Sequence, residues 1–339
     1  MQEITVIGAG AIAEKAYLPA VQAHQRSNLH AVVDTDANRA RSVAQQFSAN
    51  VYSTTHHDLL EMTDIAIIAT PPQFHAEIAA DCLQAGTHVL TEKPVALTSE
   101  KARELVAIAE ETNTLFGISR QFREAPICQC IQTFVSNGWL GEIDRFSATF
   151  GDTTDWDFVS EYRVKPAMAG GGVLTDKGPH ILDVICWLFG DDVTIEQYRD
   201  DSYGGLEANA MMELSYPESG IRGDIEITGS RALKNQLTIQ GSRGQITATP
   251  GSNRAILTDR STGEETEIVK NESRSTGYLY RVGRQAIRFI DAVEGTGDSV
   301  VTAKMDIPIL SLIESCYSNR NTLTNSWEAV PTRHIVEGS

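Results

Sequence analysis

The chain has 339 residues, 41% of them hydrophobic, and 28 basic against 45 acidic side chains give it a net charge of −17. That length exceeds one ordinary core and suits two domains, and the apolar fraction is enough to fill both. The negative charge is spread without a basic cluster, which argues against nucleic acid or an anionic membrane surface as partner. No apolar run approaches the roughly 18 residues that span a bilayer. A strand pattern starts at once, leaving no room for a signal peptide, so a cytoplasmic location without membrane contact is expected. Cys82, Cys128, Cys130, Cys186 and Cys316 show no metal-ligand spacing and read as buried, reduced thiols; no metal site is expected.

In chain order, residues 4–7 read as a buried strand that turns through Gly8-Ala9-Gly10 into a helix beginning Ala11-Ile12-Ala13. Gly8 permits a tight turn, Gly10 has no Cβ to keep a pyrophosphate away, and Ala13 lets the helix pack close to the sheet. The free N–H groups at the helix start then face the phosphates, making Gly8, Gly10, Ala11 and Ile12 candidate cofactor contacts. The second strand, 29–33, ends at Asp34, whose carboxylate can accept from both ribose hydroxyls and would repel a 2′-phosphate. NAD is therefore favoured, with NADP left open by the neighbouring Arg39. A glycine turn followed by a helix-capping Asp is the plainer alternative.

Strands are expected at 50–52, 65–69, 88–91 and 115–118, with helices at 39–47, 76–85 and 100–111, the last capped around Thr98. Short, two-sided apolar strands alternating with helices predict a doubly wound parallel sheet over residues 1–120. Two loops at strand C-terminal ends face the ligand edge of such a sheet. The first, Ala69-Thr70-Pro71-Pro72-Gln73-Phe74-His75, offers Thr70, Pro71 and His75 as cofactor contacts, although a histidine there is often structural. The second, Thr91-Glu92-Lys93-Pro94, holds a lysine between an apolar strand and a proline whose peptide bond could be cis. Lys93 is a candidate catalytic cation, and Glu92 either a cofactor contact or the salt-bridge partner of Lys93.

Past residue 120 the pattern changes to a second, α+β domain over 121–339. A helix at 126–137 leads into a strand at Gly141-Glu142-Ile143, and Gly170-Gly171-Gly172 suggests a hinge or a place where a ligand presses on backbone. The helix that follows carries Asp176, His180 and Asp183 at offsets that share one face, with Pro179 in its first turn and Asp176 as a possible cap. Alternating runs at 207–216, 221–228, 234–240 and 245–249 read as an antiparallel sheet, and the polar stretch 241–275 as hairpins and loops. One face of that sheet needs a covering, for which subunit pairing is the expected answer. Helices at 278–293 and 303–320 close the domain.

Taken together, these segments resemble the glucose-fructose oxidoreductase, inositol dehydrogenase and rhizopine-catabolism family of nicotinamide oxidoreductases along nearly the whole chain. The residues that carry the resemblance are Gly8-Ala9-Gly10, Ala69-Thr70-Pro71-Pro72 with His75, Glu92-Lys93-Pro94, Trp139-Leu140-Gly141-Glu142-Ile143, the 170–172 glycines with Asp176, His180 and Asp183, and Trp187-Leu188-Phe189-Gly190. The resemblance implies that Lys93, Asp176 and His180 converge over the nicotinamide as catalytic residues. It further implies a large, open, mainly antiparallel second sheet and assembly through that sheet as a homodimer or homotetramer. It implies a sugar, cyclitol or related polyol as substrate, oxidised at a secondary alcohol, with the acid/base and oxyanion-holding roles of His180 and Lys93 open to exchange. Arg120, Gln121, Arg163, Asp183 and Tyr278 are further polar candidates for substrate contact. Two places depart from the family pattern, Arg120-Gln121-Phe122 after the sixth strand and Lys177 with Pro179 before His180. A non-sugar substrate on the same scaffold and a non-catalytic, cofactor-sensing regulator remain the alternatives.

Overall fold

A computed structural model describes residues 1–152, 170–202, 206–270, 277–297 and 300–323. Arg163, one expected substrate contact, lies outside the described residues.

The first unit is a six-stranded sheet of β1 (Gln2–Ile7), β2 (Ser27–Val33), β3 (Val51–Ser53), β4 (Ile65–Ile68), β5 (His88–Thr91) and β6 (Phe116–Ile118). All neighbours are parallel and the order is β3-β2-β1-β4-β5-β6. Helices α1 (Leu18–Ala23), α2 (Ala37–Gln46), α3 (His75–Gln84) and α4 (Ser99–Glu111) connect the strands. Strand residues alternate between two apolar clusters: Ile4, Val6, Ile65 and Ile67 point into one, Ile7, Ala66, Ile68 and Val89 into the other. A sheet covered on both faces needs such two-sided strands, which explains why all four residues of β4 are buried. The Thr98 hydroxyl accepts from the Lys101 N–H at 3.2 Å and caps α4, as its sequence suggested. Strand order reverses between β1 and β4, so the crevice that opens for a ligand lies beyond their C-terminal ends, between the Gly8 turn and the Thr70 loop.

The second unit is a nine-stranded sheet in the order β14-β13-β12-β11-β7-β10-β9-β8-β15. Its strands are β7 (Ile143–Gly151), β8 (Thr194–Asp200), β9 (Asn209–Ser215), β10 (Arg222–Thr228), β11 (Gln236–Gly241), β12 (Gly244–Ala248), β13 (Arg254–Asp259), β14 (Glu265–Val269) and β15 (Arg320–Thr322). Only the β7/β10 and β8/β15 pairs are parallel. Helices α5 (Pro126–Ser136), α6 (Val173–Asp176), α7 (Gly178–Phe189) and α9 (Ile307–Ser318) contribute to the core that covers one face, where Phe146, Ile225 and Ile239 join Leu182, Ile185 and Ile309 in a single cluster. Ion pairs lie across the exposed surface of the strands, among them Arg145 with Asp224 and Arg199 with Glu213. The uneven pattern of β8, with Glu196 and Gln197 adjacent and a register shift against β9, hides it from a search for alternation.

Two expectations need correction. The single helix read through Asp176 and His180 is two: α6 ends at Asp176 and α7 begins at Gly178, so Asp176 does not cap the His180 helix. The chain also returns across residue 120. Helix α8 (Tyr278–Val293) sends Val282, Ala286, Phe289 and Ile290 into the same cluster as β1, and at Gly283 an added Cβ would sit 3.0 Å from the Ala16 carbonyl oxygen.

Candidate active site

The glycine turn has the geometry its sequence requires. Gly8 adopts φ +98°, and a Cβ there would stand 2.7 Å from the Ala69 oxygen and 2.9 Å from the Thr70 nitrogen. Its glycine is therefore a matter of protein against protein, bringing the two strand ends together. At Gly10 a Cβ would meet nothing within 4 Å, so the hydrogen there leaves open space beside the first helical turn. Ala13, fully buried, packs that turn against the sheet. Asp34 stands at the end of β2, accepting from Ala9 N at 2.9 Å and from Asp36 N at 3.0 Å. A backbone cradle at Gly10–Ile12 with a carboxylate beside it fits a dinucleotide, the cradle for the pyrophosphate and Asp34 for the adenosine ribose. The Thr70 hydroxyl, at the facing loop, has no hydrogen-bond partner among the described residues.

His75, an expected cofactor contact, is fully buried instead. Its Nδ1 lies 2.7 Å from the Pro94 carbonyl oxygen and its Nε2 2.7 Å from that of Thr70. The ring therefore bridges the two strand-end loops, and because burial pushes its pKa down against the pull of both carbonyls, the neutral imidazole donates to one of them at a time. Glu92 is not the partner of Lys93's ammonium. Its Oε1 accepts from the buried Tyr17 hydroxyl at 2.6 Å and its Oε2 lies 3.3 Å from the Lys93 backbone N–H. Burial, and then the Glu92 charge, push the Tyr17 phenol well above its usual range, so it stays a neutral donor.

The Lys93–Pro94 bond is cis. The Lys93 ammonium crosses to the second unit, donating to the Asp176 carbonyl at 2.5 Å with the Asp176 carboxylate at 3.4 Å. His180 begins the next helical turn, half-buried, with the Phe122 and Phe150 rings edge-on to its own. Its pKa lies well below the usual 6.5, first through loss of water and then through the Lys93 and Arg120 charges, with Asp176 pulling the other way. Lys93, Asp176 and His180 thus share one electrostatic environment although Lys93 and Asp176 are 83 residues apart. Gln121 Nε2 approaches His180 Nδ1 at 2.9 Å. Because an amide carries a donor and an acceptor on one rotatable group, Gln121 can hold either neutral tautomer of the ring. With its oxygen toward Nδ1–H, Nε2 is left free to take a proton.

Arg120 and Asp183 do not reach a substrate. Arg120 is 1% exposed, bonded to Asp306 and to the Pro179 carbonyl at 3.1 Å, while Asp183 is equally buried and accepts from Arg123 at 2.8–3.1 Å. Arg120 through the Pro179 carbonyl and Arg123 through Asp183 brace the His180 helix. Tyr278 opens α8 and packs, half-buried, on the first unit near Tyr17. Protein presses on the glycine run at Gly172, where a Cβ would lie 2.2 Å from the Glu207 carbonyl oxygen. Glu207 itself caps α6, its Oε1 accepting from Gly172 N and Leu174 N at 3.0 Å each and from Tyr317 at 2.7 Å. Lys177 is tied to Asp152 at the end of β7. Tyr17 and Glu207 carry no motif that marks them in the sequence, since each acts through a partner brought near by folding.

Two family models cover most of the chain. "Oxidoreductase family, NAD-binding Rossmann fold" matches residues 3–119, and "GFO/IDH/MocA C-terminal domain" matches residues 128–247. Oxidoreductase P35 of Formosa agariphila is 25% identical over 253 residues, 71% of this chain and 77% of that protein. D-glucoside 3-dehydrogenase of Escherichia coli is 30% identical over 192 residues, 55% of this chain and 54% of that protein. Among solved structures, levoglucosan dehydrogenase in complex with NADH and levoglucosan superposes with a TM-score of 0.83 at 18% identity, covering 94% of this chain and 96% of that one. A 3-ketoreductase from Actinomadura kijaniata with NADP and TDP-benzene gives 0.79 at 20% identity, covering 95% and 98%; both show the shared fold. With both halves matched and the dinucleotide cradle in place, this chain belongs to the GFO/IDH/MocA family of oxidoreductases, its first unit an NAD-binding Rossmann domain.

Proposed function

We propose that the chain oxidises a secondary alcohol of a sugar or related polyol to the ketone, reversibly, and that Lys93, Asp176 and His180 act on the reacting carbon's oxygen. The observation that carries this reading is the bridge from Lys93 of the first unit to Asp176 of the second, three residues before Pro179 and four before His180. The relatives named for D-glucoside 3-dehydrogenation, levoglucosan dehydrogenation and 3-ketoreduction support a sugar-like substrate.

The nicotinamide, when bound, supplies the acceptor or donor of hydride. Everything else falls to the side chains. An alcohol losing hydride must also lose its hydroxyl proton, and His180, neutral at physiological pH because its pKa is depressed, takes it at Nε2 once the Gln121 amide is turned so that its oxygen accepts from Nδ1–H. Lys93 holds the oxygen and stabilises the negative charge that develops on it, and Asp176 positions the ammonium. In reduction the proton returns from His180. The carboxylate of Asp34 favours NAD over NADP. The exposed face of the nine-stranded sheet, with its paired charges, is the surface through which two copies would associate.

The test is a fluorescence titration with NADH and NADPH, followed by nicotinamide absorbance against a panel of polyols and keto-sugars. Wild type turns over at least one of them, and His180→Ala and Lys93→Ala each lower turnover by about 10²–10⁴-fold while still binding NADH. Binding without turnover on any substrate would support a sensor instead, and tighter binding of NADPH would overturn the role given to Asp34.

A further inference from the structure

Where β3 leads toward β4, two consecutive histidines meet an aspartate from α3. His56 Nε2 lies 2.8 Å and His57 Nδ1 3.8 Å from the same Asp81 oxygen, Oδ2. All three atoms fall within 4.8 Å of one another, and the two rings stand 4.1 Å apart at 35°. We propose that His56, His57 and Asp81 form a binding site for one divalent cation of the zinc class.

The argument is geometric. Zn²⁺ binds imidazole nitrogen and carboxylate oxygen at about 2.0–2.2 Å, so tetrahedral ligand atoms stand about 3.3 Å apart. The observed 2.8 and 3.8 Å bracket that edge, and small side-chain rotations bring both to it. Two imidazoles and one carboxylate are the donor set that zinc-class ions prefer over the all-oxygen sets of magnesium and calcium. The scaffold limits what must be ordered. Asp81 sits on α3 beside the buried Cys82 and Leu83, and the His56 side chain is only 13% exposed. His57 is 59% exposed, leaving a route in from solvent and room for water as fourth ligand. Asp58 and Glu61 line the same open cleft as His57 and add negative charge around the entrance.

A cation here would clip the segment after β3 to α3. Both elements also end at the cofactor crevice: the Ser53 carbonyl accepts from Asp34 N at 3.2 Å, and α3 begins at His75. Spacing along the chain could not show the site, because Asp81 lies 25 residues beyond His56.

The experiment titrates ZnCl₂ into the untagged, full-length chain after chelator dialysis, reading heat of binding and bound zinc by elemental analysis, for wild type and for His57→Gln and Asp81→Asn. Both substitutions are at part-exposed positions, and circular dichroism checks that each variant is folded. Wild type is expected to bind one zinc per chain, each variant to bind at least tenfold more weakly, and zinc to raise the melting temperature of wild type alone. A cobalt-loaded wild-type sample should show visible tetrahedral absorption that both variants lack. Equal zinc content and affinity in all three proteins, or no binding by wild type, would overturn the proposal. None of these readouts depends on oxidoreductase activity.

Discussion

The glycine turn and the His180 site are built in opposite ways. At the turn, the geometry comes from backbone: Gly8 φ, open space at Gly10 and one carboxylate at the next strand end, all within residues 8–34. At His180 it comes from side chains contributed by distant segments, Lys93, Gln121 and Asp176, stiffened from behind by Arg120, Asp183 and Asp306. A local device needs the right residue at one position. An assembled device needs its neighbours as well, so it can be broken from further away.

The largest expected effect tests that bracing. Arg120→Ala leaves the buried Asp306 carboxylate with the Val95 N–H at 2.9 Å but no cation, and Asp183 with Arg123 alone, and breaking a buried pair on one side typically costs about 3–5 kcal/mol. Denaturant unfolding should show that loss, whereas Arg145→Ala, which breaks a surface pair, should cost no more than about 1 kcal/mol. Similar midpoints for the two variants would remove the brace from the account.

Next, the glycines separate fold from ligand. Gly8→Ala combines left-handed φ with a Cβ at 2.7 Å from a carbonyl oxygen, and should cost about 1–3 kcal/mol along with NADH affinity. Gly10→Ala meets no protein atom, so its melting temperature should hold while NADH binding weakens. Unchanged NADH affinity in Gly10→Ala would show that the cradle is not where the pyrophosphate lies.

The smallest effect concerns pH. Because the His180 pKa lies below 6.5, the acid limb of kcat/KM for alcohol oxidation should fall below pH 6.5. Gln121→Glu puts a carboxylate against Nδ1, favours imidazolium, and should move that limb up by about one unit or more. A limb that stays in place would detach Gln121 from the proton-transfer residue. For stability the sign is the same: the folded ring binds fewer protons than the unfolded one, so its contribution is present above pH 6.5 and is lost as pH falls toward the folded pKa.

What the sequence disclosed follows the same division. Every strand of the first sheet lies within two residues of its expected span, because short apolar runs and the glycine turn encode it locally. Lys93, Asp176 and His180 were marked by their motifs, and the structure does bring them into one environment. What a buried polar residue faces was not legible: Arg120 and Asp183 read as substrate contacts and turned out to pair with protein, and His75 reads the same from sequence whether it touches a cofactor or clamps two loops. The break at Lys177 was hidden because a helical face drawn through 176–183 is insensitive to one non-helical residue, and the capping carboxylate, Glu207, comes from 31 positions further along.

The most direct measurement is a double-variant cycle on alcohol oxidation with Lys93→Ala, His180→Ala and both together. If the two groups serve one oxygen, each single change should cost about 10²–10⁴-fold in kcat. The double variant should then be no more than about tenfold worse than the weaker single, with NADH binding retained in all three. Losses that multiply, or a His180→Ala enzyme with wild-type turnover, would contradict a shared site.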